Sequence, residues 1–336
     1  MPLTTVSQGL LSTDAQYTGF KNRLINGDMS ISQRGTSFTN VGSGSPPTYT
    51  LDRWVGFRGG YAANLDISQQ TGFNGFQNCL RMQRTSGTSS TQGMQLNQII
   101  ETNNCFDLAG QSVTISVTMR AGANYSGGAV TFGVQTSTSN NDSSANLANG
   151  NFTAGSFTTN ATITTTATTY TVTGTIPSNA RTVAIQFYWV PTGTAGANDF
   201  IEITGFQLEK GNVATSFDVL PYGTELMLCQ RYGLRIEQQQ NTGGVSANGT
   251  TTNVRFVFPV TMRATPTAGL ITGGTWIVGN DYSANYTANP AGIGAQQLTP
   301  IGGRVNITGF PSFGSNIFVA GSDVAGTAVM FMSAEL

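Results

Sequence analysis

Apolar and polar residues alternate along several stretches of the chain. In residues 113–119 every second position is apolar, and a hydroxyl residue stands between each pair. Because successive side chains of a β-strand point to opposite faces, a period of two is typical of half-buried antiparallel strands. The same pattern predicts strands at residues 170–176, 183–189 and 254–260. Thr suits the solvent-facing positions of such strands, since it is β-branched and tolerates water.

Turn-forming residues separate these stretches. Clusters of Gly, Asn, Ser and Pro at residues 42–47 and 137–144 predict loops, and the Thr-rich tract 158–169 predicts a strand with its turn. Helix signals are confined to residues 224–232, where Thr224 is a possible N-cap, and the start of a strand explains this segment equally well. Many short strands without a 20–50-residue repeat predict an all-β fold of the sandwich or jelly-roll type.

These patterns divide the chain into four parts. We predict an extended polar arm at residues 1–20, a large jelly-roll domain at 21–220, a linker or short helix at 221–232, and a smaller β-sandwich at 233–336. Strands of the last part are expected near residues 253–263, 274–279, 303–310, 316–320 and 327–335.

Charged residues are scarce, at 9% of the 336 residues, against about 25% in an average globular domain. Neutral polar residues replace them, including 49 Thr, 27 Asn and 27 Ser. The net charge of −1 provides no field that would hold a phosphate backbone, so we expect no nucleic-acid partner. The chain has no run of about 18 apolar residues and no signal-peptide pattern, so we expect no membrane insertion.

Histidine is absent, and cysteine is rare. Without His, a histidine-based catalytic triad, a His-based zinc site and a phosphorelay are excluded. Cys79, Cys105 and Cys229 have no metal-like spacing, and buried thiols in a reducing compartment are the expected state. A bridge between Cys79 and Cys105 is the alternative that the sequence leaves open.

Three groups of motifs occur in a fixed order along the chain. The first comprises residues 22–29, 33–35 and 51–54, with Asn26, Gly27, Asp28, Asp52, Arg53 and Trp54. The second is residues 206–211 with Glu209 and Gly211, followed by Ala214 and Thr215, and the third is residues 222–232. This combination, with residues 258–263, Pro266 and the ending 333–336, resembles a group of tailed-bacteriophage virion proteins, many of them tail-fibre or carbohydrate-binding-like proteins.

Residues 21–220 also resemble the jelly-roll carbohydrate-binding modules of bacterial glycoside hydrolases. The resemblance implies that the segment around Asn26 and the strand at residues 201–209 lie side by side. The change of apolar phase along that strand suggests a bulge at Gly205. Such modules often carry paired Asp residues for a structural calcium on this strand, whereas Thr204 and Gly205 stand here. A calcium site at Asp28 or Glu202 is therefore doubtful, and we predict no metal or cofactor.

Two sets of residues are candidates for chemistry. Asp28, Asp52 and Glu209 could supply the carboxylate pair of a glycosidase, but we expect them to cap turns or to pair with arginines such as Arg34 and Arg53. Trp54 and Trp189 are expected in the core. The candidate glycan-binding surface combines aromatic rings with groups that read hydroxyls, and it consists of Trp276, Asn280, Asp281, Tyr282 and Tyr286.

The resemblance implies a virion structural protein without enzymatic activity. Our first hypothesis is a homotrimeric tail-fibre protein that binds host surface glycan and contacts other virion proteins through its N-terminal arm. The alternative is a capsid decoration or head-fibre protein. A glycan-degrading depolymerase is the third hypothesis, and the absence of repeats disfavours its usual β-helical form.

Overall fold

A computed structural model describes residues 20–42, 47–59, 64–236, 242–248, 250–270, 276–280, 284–288, 292–310, 318–322 and 330–336. Strands make up most of its regular structure, in agreement with the predicted all-β class. The chain divides into two compact units, Met1–Pro221 with Leu336, and Tyr222–Glu335. Within the described ranges, no helix is long and apolar enough to cross a membrane.

Twelve strands are described in the first unit. In chain order they are β1 (Ser37–Phe38), β2 (Thr48–Tyr49), β3 (Val55–Arg58), β4 (Leu65–Thr71), β5 (Asn78–Arg84), β6 (Met94–Ile100), β7 (Ser112–Ala121), β8 (Val130–Ser137), β9 (Gly155–Ala161), β10 (Thr168–Thr175), β11 (Thr182–Trp189) and β12 (Phe200–Lys210). Two short helices, α1 (Thr102–Cys105) and α2 (Ser144–Ala148), lie between them. The Ser143 side chain caps α2 by accepting a hydrogen bond from the backbone N–H of Asn146.

The twelve strands form two six-stranded antiparallel sheets that enclose one core, which is the predicted jelly-roll sandwich. Sheet 1 has the strand order β1-β4-β5-β12-β7-β10, and sheet 2 has the order β2-β3-β6-β11-β8-β9. The apolar positions of the alternating patterns face inward and are buried from both sides. Trp54 and Trp189 are fully buried, which confirms their expected place in the core.

Long strand β12 is irregular where the sequence changes phase. Its register with β7 shifts between Thr204 and Gln207, which confirms the predicted bulge. Gly205 lies there with φ of +59°, in the left-handed region that glycine adopts without a steric penalty. A Cβ at this position would lie 2.5 Å from Cζ of Phe76, so the glycine also makes room for an aromatic ring.

Both sheets end on a strand of seven or eight residues at one side of the sandwich. Strand β10 forms the edge of sheet 1, and β9 forms the edge of sheet 2. The ring of Phe157 in β9 fills the space above Gly174 in β10, where a Cβ would lie 2.3 Å from Cγ of the ring. At the opposite edges, β1 and β2 are only two residues long.

The second unit is the smaller β-sandwich. Its described elements are α3 (Tyr222–Gln230) and the strands β13 (Gly233–Ile236), β14 (Thr242–Asn248), β15 (Thr251–Val257), β16 (Thr267–Leu270), β17 (Trp276–Asn280), β18 (Ala284–Ala288), β19 (Gly292–Thr299), β20 (Gly302–Thr308), β21 (Phe318–Ser322) and β22 (Met330–Ser333). Sheet 3 has the order β13-β22-β16, and sheet 4 has the order β18-β17-β21-β14-β15-β20-β19. Residues of both sheets, such as Met332 and Val254, share one core.

Helix α3 settles the ambiguity that the sequence left at residues 224–232. The helix begins at Tyr222, so Thr224 lies inside it and is not the N-cap. Glu225 is in the first turn, where a negative charge interacts favourably with the helix dipole. The helix ends at Gln230, one residue before Arg231.

All three cysteines are buried and unbridged. The Cys79–Cys105 bridge, which was the alternative hypothesis, is therefore not formed. Burial raises the pKa of the Cys79 thiol to about 12 and that of Cys105 to about 11, because the thiolate would lose its hydration. The nearby carboxylate of Glu202 contributes further to the shift at Cys79.

Candidate functional site

The first motif group forms a braced turn. Asn26 adopts a left-handed conformation, with φ of +59°, and its side chain is buried. Its Nδ2 donates to the carbonyl oxygens of Ile31 and Asp52 at 2.8 and 2.9 Å, and its Oδ1 accepts from the N–H of Ile31 at 2.8 Å. The indole N–H of Trp54 donates to the carbonyl oxygen of Asn26 at 2.9 Å. This amide therefore joins two chain segments inside the fold.

Gly27 and Asn22 attach this turn to strand β12. A Cβ on Gly27 would lie 2.1 Å from the carbonyl oxygen of Phe206, so only glycine fits. The N–H of Phe206 donates to the carbonyl oxygen of Gly27 at 2.9 Å, and Asn22 Nδ2 donates to that of Phe206 at 3.0 Å. The opening segment and β12 thus lie side by side, as the jelly-roll resemblance implies.

The carboxylates of these motifs are used within the fold. Asp52 accepts from the backbone N–H and the side-chain amide of Gln33, both at 2.6 Å. Asp28 accepts from the N–H of Ser30 at 3.2 Å. Glu209 accepts from the N–H and the hydroxyl of Thr215 at 2.8 and 2.7 Å. Each carboxylate stabilises a turn or loop of its own region.

Arg53 and Gly211, which also belong to the motif groups, have structural roles. Arg53 is buried with φ of +69°, and its Nη2 donates to the carbonyl oxygen of Ile99 at 2.5 Å. Gly211 lies just after β12 with φ of +121°, and its N–H donates to the carbonyl oxygen of Ser112 at 2.9 Å. These residues position backbone segments rather than a ligand.

Glu202 occupies the place considered for calcium. Its carboxylate is buried between two arginines, with Arg81 Nη2 at 2.5 Å from Oε1 and Arg120 Nε at 2.6 Å from Oε2. Each guanidinium also lies over an aromatic ring, Arg81 over Phe200 and Arg120 over Phe73. Both carboxylate oxygens therefore neutralise cationic side chains. Over the described part of the chain, no group of three or more acidic or thiol side chains is placed to hold a metal ion.

The glycan surface expected from the sequence is only partly described. Trp276 and Asn280 lie at the two ends of β17, and Tyr286 lies in β18 opposite Val278. Asp281 and Tyr282 fall outside the described residues, as do the side chains of the other three. This surface stays a prediction.

Sheet 2 presents a different polar surface on its outer face, which sequence reasoning missed. In β6, β8 and β11 most apolar residues face the main core, and the residues between them face outward, including the apolar Ile99 and Ala184. Gln135 Nε2 donates to Gln186 Oε1 at 2.9 Å, and Gln186 Nε2 donates to Gln95 Oε1 at 3.2 Å. Three amides from three neighbouring strands thus form one hydrogen-bonded row.

Tyr188 and Asn97 extend this row into a surface. Tyr188 lies directly opposite Gln95, and Asn97 lies directly opposite Gln186. We name this surface the amide–tyrosine face, and it consists of Gln95, Asn97, Gln135, Gln186 and Tyr188. Opposed side chains are about 5 Å apart across the strands, and alternate residues are about 7 Å apart along a strand. Four of these residues therefore cover an area of about the size of one sugar ring.

The ring of Tyr188 packs closely against Gly93. A Cβ on Gly93 would lie 2.3 Å from the Tyr188 hydroxyl oxygen and 2.5 Å from Cε2, so the phenol packs directly on the Gly93 backbone. Tyr188 and Gln95 are both half-buried, which leaves part of each side chain open to solvent. A fixed, partly exposed aromatic ring can stack on the apolar face of a ligand.

Asn97 contributes an unsatisfied acceptor. Its Oδ1 is buried and has no hydrogen-bond partner among the residues that the structure describes. Buried polar atoms are normally hydrogen-bonded, so an orphaned acceptor indicates a place where a donor from water or a ligand is favoured. Asn97 itself is only 1% exposed, so the groups that the face presents to solvent are the half-buried glutamine amides and the Tyr188 ring, with this acceptor buried among them.

The amide–tyrosine face is uncharged and has a defined boundary. Strands β6, β8 and β11 contain no charged residue. At one end, Ile99 and Ala184 are covered by Leu147 of α2, by Phe152 and by Leu336, which form a separate small core. The face can therefore recognise a neutral, hydroxyl-rich ligand by hydrogen bonding and stacking, without electrostatic attraction.

Comparison with known proteins returns similarity in structure only. No protein-family model matches the chain, and no curated protein sequence matches it. The enzymatically active domain of bacteriophage CBA120 tailspike protein 4 aligns at 14% identity and a TM-score of 0.36, over 57% of this chain and 22% of that chain. A TmCBM61 structure in complex with β-1,4-galactotriose aligns at 13% identity and 0.32, over 56% and 99%. The CBM22-1 xylan-binding domain of Paenibacillus barcinonensis Xyn10C aligns at 13% and 0.30, over 53% and 94%. At these identities and TM-scores, none of the three bears on the function of this chain.

Proposed function

We propose that this chain is a receptor-binding protein of a tailed-phage virion, and that it binds neutral host-surface glycan through the amide–tyrosine face without cleaving it. The ordered motifs at residues 22–54, 206–215 and 222–232 support the virion assignment by their resemblance to tail-fibre proteins. The observation that carries glycan binding is the Tyr188 ring, fixed on Gly93 beside Gln95.

The chemistry of this face suits a sugar. The hydroxyls of a sugar ring both donate and accept hydrogen bonds, and its C–H face packs on aromatic rings. The Gln135–Gln186–Gln95 row leaves the Gln95 amide N–H groups without a partner in the described part of the chain. The absence of charge in the three strands favours neutral over ionic groups.

Weak single sites are sufficient if several copies act together. We propose a homotrimer that attaches to the virion through residues 1–20, as the resemblance implies. In a trimer, each face raises the effective concentration of the next, so that weak contacts add up to stable adsorption.

A binding measurement with matched variants tests the proposal. The full chain is applied to an array of neutral and acidic oligosaccharides and to isolated host-cell polysaccharide. We expect a neutral glycan to bind the wild type, and Tyr188→Ala and Gly93→Ala each to weaken binding about tenfold, because stacking is lost or the ring is displaced. Tyr222→Ala removes an exposed tyrosine of α3 and should leave binding unchanged. Equal binding by all four proteins would overturn the assignment of this face.

Three further measurements separate the alternatives. Label spread over the capsid in immunogold microscopy of virions would replace the tail-fibre proposal with a decoration or head-fibre role. Release of reducing sugar from host polysaccharide would contradict the proposal that the chain does not cleave glycan. Loss of adsorption in a Tyr282→Ala, Tyr286→Ala double variant, with Tyr188→Ala unaffected, would place binding at the surface predicted from the sequence.

A further inference from the structure

Two arginines lie side by side on the outer face of sheet 4. Arg255 of β15 is directly opposite Arg304 of β20, and Gln297 of β19 is directly opposite Arg304 on its other side. All three side chains are exposed, while the intervening residues, such as Phe256 and Val305, are buried in the core. Neighbouring strands are about 4.8 Å apart, so the three side chains form a short row across the sheet.

Neither guanidinium has a hydrogen-bond or ion-pair partner among the residues that the structure describes. Several other arginines are engaged through their side chains, for example Arg23 by Asp107, Arg84 by Asp199 and Arg263 by the carbonyl oxygen of Ala334. Like charges directly opposite on neighbouring strands destabilise a sheet. In a chain with 15 basic residues, two directly opposed guanidinium groups without a partner among the described residues are therefore a specific feature.

The next row of the same face supplies neutral polar groups. Asn253 is directly opposite Asn306, two residues away from Arg255 and Arg304 in each strand. Oδ1 of Asn253 is shielded from solvent and has no hydrogen-bond partner among the described residues. Among the described residues, this unpartnered acceptor thus lies about 7 Å from two unpartnered guanidinium groups. A ligand that carries both a negative charge and a hydroxyl matches this arrangement.

We propose that the two neighbouring rows, Arg255 with Arg304 and Asn253 with Asn306, together bind an acidic sugar residue. The carboxylate lies across the two guanidinium groups, which are planar donors suited to carboxylate oxygens. The half-buried side chain of Asn253 turns to present Oδ1 to a ring hydroxyl, and the Asn306 amide and Gln297 contact the remaining hydroxyls. This site is separate from the amide–tyrosine face in residues and in charge preference, and it does not depend on glycan binding there.

Carboxylates can come from a polysaccharide or from the acidic side chains of another copy of this chain. The asparagine row favours the polysaccharide, because a hydroxyl donor beside the acid is a feature of uronic acids and not of Asp or Glu. Binding by a second copy is therefore treated as an outcome that contradicts the proposal.

Affinity electrophoresis of the full chain in gels containing polygalacturonate or uncharged dextran tests the site. We expect polygalacturonate to retard the wild type, and galacturonate monomer to compete where galactose does not. The double variant Arg255→Gln, Arg304→Gln should bind at least tenfold more weakly, and Asn253→Ala should weaken binding without changing the charge. Added salt should weaken binding of the wild type more than that of the double variant.

Arg181→Gln is the matched control, because Arg181 is exposed and lies in the first unit, and its guanidinium has no partner among the described residues. It should bind like the wild type. Equal losses of polygalacturonate binding in Arg181→Gln and the double variant would show that only net charge matters, which would overturn the site. A wild type that polygalacturonate does not retard would also overturn it. Dissociation of an oligomer by the double variant in sedimentation would also overturn it, in favour of a subunit contact. Tyr188→Ala should bind polygalacturonate normally, so failure of this site and failure of the amide–tyrosine face are distinguishable.

The double variant should remain folded, because it removes a repulsion and leaves the core side of β15 and β20 untouched. A melting temperature equal to or above that of the wild type would verify this in the same preparation.

Discussion

Arg84 and Asp199 form an ion pair, with 2.8 Å between Nη1 and Oδ2, in which neither side chain is exposed to solvent. Asp199 also accepts from the N–H and the hydroxyl of Ser126 at 2.9 and 2.6 Å. The two terminal nitrogens of Arg84 also donate to loop carbonyl oxygens, Nη1 to that of Thr192 and Nη2 to those of Thr88, Ser90 and Gly193. One buried guanidinium therefore holds several loops together at the end of β5. The neighbouring Arg58 is also buried, and burial together with the charge of Arg84 lowers its pKa.

Replacing Asp199 by Asn should destabilise the first unit strongly. The substitution leaves the Arg84 charge buried without an anion, and breaking a buried pair costs about 3–5 kcal/mol. Urea unfolding followed by tryptophan fluorescence measures the loss. The control is Asp107→Asn, which breaks the partly exposed pair with Arg23 and should cost no more than about 1 kcal/mol. Similar losses in the two variants would show that burial does not set the energy of the Arg84 pair.

Gly27→Ala should destabilise the fold through its backbone contact. The added methyl group would overlap the carbonyl oxygen of Phe206, and the strand would have to shift, at a cost of about 1–3 kcal/mol. Gly128→Ala is the matched control, because a Cβ there meets no atom within 4 Å. A melting curve of Gly27→Ala that coincides with that of Gly128→Ala would contradict the close approach.

Asn26→Ala should cost about 2–4 kcal/mol, because it leaves the carbonyl of Ile31 short of a donor and removes a residue suited to φ of +59°. Asn74→Ala provides the comparison, since Asn74 is exposed, has φ of +52° and makes no side-chain hydrogen bond to the described residues. Denaturant midpoints of the two variants separate the contribution of the buried hydrogen bonds from that of the backbone conformation. Equal midpoints would show that the buried hydrogen bonds of Asn26 make no net contribution to stability.

Stability should fall as the pH rises above about 9. The pKa of Cys79 is raised to about 12 in the folded chain, so its contribution is fully present below the thiol pKa of the unfolded chain and is lost as the pH rises toward 12. The expected slope is about 1.4 kcal/mol per pH unit for this thiol. In Cys79→Ala the decline between pH 9 and 10.5 should be shallower by that amount in denaturant unfolding. Parallel curves for the variant and the wild type would argue against a protonated buried thiol.

The alternating patterns predicted the strands whose two faces differ most. Residues 113–119 lie within β7, residues 170–175 of the predicted 170–176 lie within β10, and residues 183–189 lie within β11. The apolar and hydroxyl residues of 113–119 alternate without interruption, and the other two stretches keep apolar residues at most of the alternate positions. The strand expected at 254–260 ends at Val257, since Pro259 has no N–H for a ladder. The sequence did not predict strand β19, because its Gly- and Gln-rich residues show no clear alternation of apolar and polar positions.

The amide–tyrosine face could not be found from the sequence. Gln95 and Gln186 are 91 residues apart, and only the register of β6 with β11 brings them together. Each glutamine alone looks like any solvent-facing residue of a strand. The pair of Arg255 and Arg304 could not be predicted either, because only the register of β15 with β20 brings the two residues together. Conversely, the motif around Asn26 and Asp52 is conspicuous in the sequence but stabilises the fold. A buried turn allows only certain residue types at its positions, just as a ligand-binding site does, so the sequence alone does not distinguish the two roles.

The edge formed by β9 and β10 has a consequence for how this protein behaves in concentrated solution. Neither strand contains a charged residue or a proline, the devices that commonly keep open edges from pairing with other molecules. Association along these edges would use backbone hydrogen bonds between uncharged partners. Buffer pH and ionic strength then have little influence on it, and protein concentration and temperature become the variables that control self-association during purification and storage.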